Sequence, residues 1–234
     1  IKFLQRRMAK KAGFVKRFER EAMAMSRLYH AHCVALIDFG VHNGSPYLVM
    51  EYVPGPTLTQ LMRKGPLDPA RAVRILNQLL DGLAYFHRRD LVHRDLKPDN
   101  IMLVESTGET DFVKILDFGM AKILAGDGSE MDLSVQGVVV GTPSVMAPEQ
   151  IRQQSVDARS DLYSAGVLLY EMLVGKKPFR HADPLKVLEM HLKTAPEPPR
   201  QARGDQVISE ALENVVLRAL EKNRDRRFSS AEEM

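Results

Sequence analysis

The sequence predicts an α+β chain of two lobes, a small β-rich one over residues 1–53 and a larger, mostly helical one over 54–234. Three observations point there: two strand-like runs joined by Asn43-Gly44, a Pro54-Gly55-Pro56 break, and a succession of capped apolar stripes beyond that break. With 44% hydrophobic and 27% charged residues among 234, the chain has the proportions of a folded domain with a real core and not those of a disordered segment.

The first helix falls at about 12–29, where Phe14, Phe18, Ala22 and Met25 recur at helical spacing. Glu21 sits inside that stripe, and a carboxylate among inward-facing apolar groups needs a cation from elsewhere in the chain. Strand-like runs follow at Val34–Phe39 and Tyr47–Val53, and the Asn-Gly between them is a hairpin signal. Beyond the break, Asp68-Pro69 caps a helix running to about His87 along a stripe from Ala72 to Ala84. Two short strands, Ile101–Val104 and Val113–Leu116, form a second hairpin. Residues 119–148 carry few regular signals and read as a long functional loop. The segment Leu162–Val174, apolar on most faces and closed by Gly175, belongs at the centre of a helical core. Asp183-Pro184 opens another helix, Ala195–Gly204 is a proline-containing loop, and Ser209 caps a further amphipathic helix.

The ends suggest a domain incomplete on both sides. The chain opens on Ile1, and Ser229 with Glu232 has capping-box spacing just before the last residue. Charge is unevenly spread. The net +3 combines eight Lys or Arg against Glu19 within residues 1–20 with 25 basic against 29 acidic residues elsewhere. The basic run is expected to be a solvated face, with no nucleic acid partner. A single cysteine, Cys33, fits a reducing compartment, and no apolar stretch approaches the roughly 20 residues a membrane span requires. A cytoplasmic location is expected, within a protein that can be longer and membrane-anchored.

The chemistry concentrates in His93-Arg94-Asp95-Leu96-Lys97-Pro98-Asp99-Asn100, followed by Asp117-Phe118-Gly119. Asp95, Asn100 and Asp117 offer hard oxygen atoms, as ligands or as a base, and Lys97 places a cation among them. Such a set suits magnesium and phosphate. Any one of these residues alone reads as an ordinary turn residue; the whole set in this order does not.

This segment resembles the catalytic loop H-R-D-x-x-x-x-N and the D-F-G of protein kinases, with Lys97 as in the serine/threonine-specific form. Ile1-Lys2 is similar to the end of V-A-I-K, Glu21 to the helix glutamate that pairs with that lysine, and Gly141-Thr142-Pro143 with Met146-Ala147-Pro148-Glu149-Gln150 to the close of an activation segment. The resemblance runs from Lys2 to Arg227 and is strongest to eukaryotic-like (Hanks-type) bacterial kinases. It implies a bilobal protein-kinase-like fold whose small lobe enters at the third strand, and transfer of the γ-phosphoryl group of ATP to Ser or Thr hydroxyls of protein substrates. ATP and magnesium, or manganese in its place, are the implied cofactors.

The resemblance also assigns roles. Lys2, held by Glu21, contacts the α- and β-phosphates. Asn100 and Asp117 hold the metal, Asp95 accepts the substrate proton, and Lys97 neutralises the transferring group. Adenine meets the backbone of Glu51-Tyr52-Val53, with Met50 limiting pocket depth. Asp161 braces the backbone at His93 and Arg94, Glu149 pairs with Arg227, and Thr142 braces Asp95 and Lys97. Arg94 would hold phosphate on an activation-loop serine, Ser129 or by spacing Ser134, the latter formed by autophosphorylation within a homodimer.

Several positions depart from the family pattern. No Gly-rich loop occurs, which the opening inside a motif ascribes to truncation. Val145, His30-Ala31-His32-Cys33-Val34 and Arg224 replace the usual residues. The competing reading is a pseudokinase or regulatory binding module that keeps the fold. A small-molecule phosphotransferase is disfavoured by the segment from Gly141 to Glu149.

Overall fold

The computed structural model describes residues 1–4, 13–106, 109–117, 142–204 and 207–234. Two separate apolar clusters organise it. The smaller joins Leu4, Phe14, Phe18, Ala22 and Leu48, and the larger runs from Cys33 through Leu79, Ile115 and Leu168 to Ala231.

The small cluster lies between a helix and a sheet. β1 (Lys2–Phe3), β2 (Leu36–His42) and β3 (Ser45–Met50) form an antiparallel sheet in the order β1-β3-β2. The hairpin turn has positive φ at both Asn43 (49°) and Gly44 (74°), which matches the right-handed twist of the strands it joins. Both strands therefore reach the turn directly, whereas the expected second strand ended at Val53; the residues after Met50 leave the sheet. Helix α1 (Phe14–Ser26) turns Phe14, Phe18 and Ala22 inward, and the Phe18 ring meets Phe39 edge-on at 6.2 Å. The first residue of the expected helix, position 12, lies outside the described residues.

The larger lobe begins with the short α2 (Leu58–Met62) and α3 (Pro69–His87). Asp68 caps α3 by accepting from the Arg71 N–H at 3.2 Å, with Pro69 supplying the fixed φ of the first turn. β4 (Ile101–Ser106) and β5 (Glu109–Ile115) pair over a longer stretch than expected. Then come α4 (Pro148–Ile151) and α5 (Ala158–Val174). The latter is buried along nearly its whole length and begins a turn earlier than the apolar run, because Asp157 caps it through the Arg159 N–H. Gly175 ends it at φ 77°.

α6 (Pro184–Lys193), α7 (Pro199–Arg203) and α8 (Glu210–Ala219) complete the lobe. α7 corrects the expected 195–204 loop: Pro199 at the first helical position and Gly204 in the left-handed region bracket one short helical turn. At the end, Glu233 and not Glu232 bonds the Ser229 N–H and hydroxyl, while Glu232 pairs with Arg88, so the segment forms turns instead of starting a helix.

The lobes meet where His32–Val34 lies against Ile115, with Ile115 N–H donating to His32 O (2.8 Å) and Val34 N–H to Ile115 O (2.9 Å). The second crossing, at Pro54–Pro56, passes so close to β4 that a Cβ on Gly55 would lie 2.2 Å from the Leu103 carbonyl oxygen.

Candidate active site

The site is built outward from α5. Asp161, in the first turn of that helix and 1% exposed, accepts the His93 N–H on Oδ2 and the Arg94 N–H on Oδ1, at 2.8 and 2.9 Å. His87, from the last turn of α3, places Nε2 2.8 Å from Oδ2. Burial works to raise the Asp161 carboxyl, but the His87 hydrogen bond, the electrostatic influence of the His87 and His93 rings and the His93 N–H outweigh it and hold the group below its ordinary value. A buried anion thus anchors the backbone that leads into Asp95.

That backbone is strained. Arg94 has φ 66° and Asp117 φ 58°, left-handed conformations costing on the order of 1–3 kcal/mol each in a non-glycine residue. His93 supports both. Its Nε2 lies 2.9 Å from the Leu116 carbonyl oxygen, which can only accept, so Nε2 carries the proton and Nδ1 is left to accept the Asp95 N–H at 3.3 Å.

The Asp95 carboxylate then stands among three side chains. Lys97 Nζ donates to Oδ2 (2.7 Å), the Thr142 hydroxyl donates to Oδ1 (2.9 Å), and Lys97 also reaches Thr142 Oγ1 (3.1 Å). Asn100, 7% exposed, donates from Nδ2 to the Asp95 carbonyl at 2.9 Å, so its amide oxygen faces away from that bond. The backbone joins this residue to the strand before Asp117, with Leu116 N–H on Asn100 O at 2.8 Å.

Lys2 arrives from the small lobe, and here the arrangement differs from expectation. Its Nζ lies 2.6 Å from Asp117 Oδ2, while Glu21 Oε1 takes the Arg20 guanidinium at 3.1 Å; the Lys2–Glu21 pair is not formed. The Lys2 amine is thus taken by the carboxylate of Asp117. The side chains that could hold a divalent metal are the Asp117 carboxylate and the Asn100 amide oxygen, both hard. Among the described residues no cluster of three or more His, Cys, Asp or Glu could hold a metal by itself.

Met50, half-buried, ends β3, and the next residues cross toward the large lobe. Glu51 N–H is already used by Ala35 O (2.9 Å), which leaves the Glu51 carbonyl and the Val53 N–H without a backbone partner among the described residues. The Glu51 side chain has a task the sequence did not reveal: both carboxylate oxygens receive Lys114 Nζ of β5, at 2.9 and 3.1 Å, an ion pair across the lobe junction. Tyr52 is 86% exposed.

Below the site, Glu149 and Arg227 form a buried bidentate pair at 2.8 and 2.9 Å. Burial would raise the Glu149 carboxyl, but the Arg227 hydrogen bonds and charge and the Ser160 hydroxyl bring it below the usual range. The sequence assigns no role to Lys177 or His87, and names Gln150 only as the end of the Met146–Gln150 motif. Lys177 reaches the Ser144 hydroxyl at 2.8 Å, and Gln150 reaches the Arg94 carbonyl oxygen at 2.9 Å. The proximity of Gln150 to the A-P-E motif was the available signal. Ser129, Ser134, Phe118, Gly119 and Gly141 lie outside the described residues.

A carboxylate held by a lysine and a threonine, an asparagine five residues on and a second carboxylate at a strand end define a phosphotransferase site of the protein kinase type. The family described as the protein kinase domain matches residues 1–234, and the chain belongs to it. It is similar to the serine/threonine-protein kinase pkn3 of Myxococcus xanthus, 43% identical over 99% of this chain and 43% of that protein. It is also similar to PknB of Mycolicibacterium smegmatis, 40% identical over 100% of this chain and 37% of that protein. The chain thus spans less than half the length of these curated relatives. Among solved structures, the PknI kinase domain of Mycobacterium tuberculosis superposes with a TM-score of 0.73 at 28% identity, over 99% of this chain and 81% of that one. Family membership carries with it the use of ATP and a divalent metal. No helix among the described residues is long and apolar enough to cross a membrane.

Proposed function

We propose that this chain is the kinase domain of a serine/threonine protein kinase that transfers the γ-phosphoryl group of ATP to Ser or Thr hydroxyls of protein substrates. The observation that carries the reading is the Asp95 carboxylate held by Lys97 and Thr142 beside Asn100. Phosphoryl transfer asks mainly for alignment and charge neutralisation, and this constellation supplies both. Asp95 orients the substrate hydroxyl and takes its proton. Lys97 lies within one hydrogen bond of Asp95 and meets the charge that develops on the transferring group. Asn100 and Asp117 would hold the metal, magnesium in this reading, whose charge neutralises phosphate oxygens when bound. Lys2 contacts the α- and β-phosphates once it exchanges Asp117 for Glu21 or for the nucleotide. Adenine takes the unpartnered Glu51 carbonyl and Val53 N–H, against Met50.

Residues 1–53 then form the small lobe and 54–234 the large one. The Arg94 guanidinium has no partner among the described residues, which suits it to phosphate on Ser134; unchanged activity in Ser134→Ala would reject that role. A reaction in the cytoplasm agrees with the ATP requirement and with a free, buried Cys33.

The Lys2–Asp117 contact favours the second reading, a binding module that keeps the fold without the reaction. Incubation of the full-length protein with γ-labelled ATP, magnesium and a general protein substrate separates the two. Labelled phosphoserine or phosphothreonine is expected; phosphotyrosine alone would reject serine/threonine specificity, and nucleotide binding with no labelled protein would favour the binding module.

A further inference from the structure

We propose that Gln150 is a positioning residue for Asp95, acting through the peptide bond that joins Arg94 to Asp95. The inference rests on the kinase reading of the site, but its geometry stands apart from that reading.

Gln150 is 7% exposed and lies in α4, far from Arg94 in sequence. Its two amide atoms have different and unambiguous partners. Oε1 accepts the Ala147 N–H at 3.0 Å, and Nε2 donates to the Arg94 carbonyl oxygen at 2.9 Å. A backbone N–H can only donate and a carbonyl only accept, so the amide has a single orientation. The Ala147 bond fixes it, and the fixed amide aims its N–H at the catalytic loop.

The peptide it grips is the one that decides where Asp95 points. Arg94 is the left-handed residue of the loop, with its N–H held by Asp161 Oδ1 at 2.9 Å and its carbonyl by Gln150. The same peptide unit includes the Asp95 N–H, which His93 Nδ1 accepts at 3.3 Å. Both ends of the peptide plane are therefore held, one by a histidine of the loop and one by Gln150. Rotation about the Arg94 Cα–C bond would turn that plane, carry the Asp95 Cα with it and pull its carboxylate from Lys97 and Thr142. Asp161 cannot prevent this alone, because its bonds end at the Arg94 N–H, on the other side of the strained residue. Gln150 thereby ties the segment that closes the activation region to the carboxylate that receives the substrate proton.

Two substitutions in the full-length protein test this. Gln150→Ala removes both hydrogen bonds. Gln150→Glu keeps an acceptor for Ala147 but sets a carboxylate oxygen against the Arg94 carbonyl. The expected results are a kcat at least about 10-fold lower in both variants with KM for ATP within about 2-fold of the parent. For Gln150→Glu alone, kcat relative to the parent recovers as pH falls, because the protonated acid regains a donor toward Arg94. Amide hydrogen exchange supplies a readout independent of activity: the 93–100 segment exchanges faster in both variants while α5 stays protected. Parent-like exchange across 93–100 would overturn the proposal even if the parent proved inactive as a kinase. Parent-like kcat would overturn it too, as would failure of both variants to fold, which would assign Gln150 to the fold alone.

Discussion

Replacing Arg227 with alanine strips a guanidinium that is 0% exposed from a carboxylate that is 3% exposed. Two hydrogen bonds to Glu149 disappear, and so do bonds to the carbonyls of Glu221 (2.8 Å), Arg159 (3.0 Å) and Lys222 (3.3 Å). Glu149 keeps the Ser160 hydroxyl at 2.6 Å, which cannot balance a buried charge. Removing one partner of such a pair costs about 3–5 kcal/mol. That is a large share of the roughly 5–15 kcal/mol a domain usually holds. For a chain of this size the loss corresponds to a fall in Tm of roughly 6–20 °C.

The pH dependence follows from the sign of the Glu149 shift. In the parent the folded carboxyl lies below its unfolded value, so it stabilises the fold above the unfolded pKa of about 4.3 and that contribution is lost as pH falls through the folded value. In Arg227→Ala burial dominates and the carboxyl rises, so protonation relieves the variant. Urea titrations at pH 7 and at about pH 4.5 should show a wide gap between parent and variant at the first and a narrower one at the second. A gap at pH 7 no larger than about 0.5 kcal/mol, the range of surface substitutions, would mean that the buried pair does not hold the fold together. So would a gap that widens toward acid.

Thr142→Val removes the donor to Asp95 Oδ1 and the acceptor for Lys97, and phosphoryl transfer should fall about 10-fold or more with Tm nearly unchanged, as steady-state kinetics and calorimetry would show. Gly166→Ala builds a Cβ 2.6 Å from Ala219 Cβ, wedging α5 from α8, and thermal melts should show a loss of about 1–3 kcal/mol. Lys222 is pushed down to about 8, first by burial and then by the charge of Arg227. Between pH 8 and the unfolded lysine value of about 10.4 the unfolded chain therefore binds more protons, and the parent should gain stability relative to Lys222→Met across that window in denaturant titrations.

Local signals were read well from sequence because local physics sets them. Asn43-Gly44, Asp68-Pro69 and Gly175 each impose one backbone geometry, and the elements they bound follow. The stripe of α1 likewise put Phe14, Phe18 and Ala22 inside. What sequence missed depends on contacts between distant segments. The partner of Lys2 is Asp117, 115 positions away, a contact that only the fold creates. Glu232 is drawn to Arg88 and Glu233 to Arg218, so the terminal capping pattern shifts by one residue. Gln150 bonds backbone atoms of a remote loop, and Glu51 meets a lysine 63 positions away; neither leaves a mark in periodicity or spacing.

Single-turnover transfer from magnesium–ATP by the parent and by Asp95→Asn, with nucleotide affinity measured alongside, reads out the proposed role of Asp95 as the base of a phosphoryl-transfer site. The parent should transfer phosphate to protein serine or threonine, and the variant should do so about 10²-fold more slowly or worse, with nucleotide affinity little changed. Transfer at the parent rate in Asp95→Asn, or nucleotide binding by both proteins with transfer by neither, would remove Asp95 from that role.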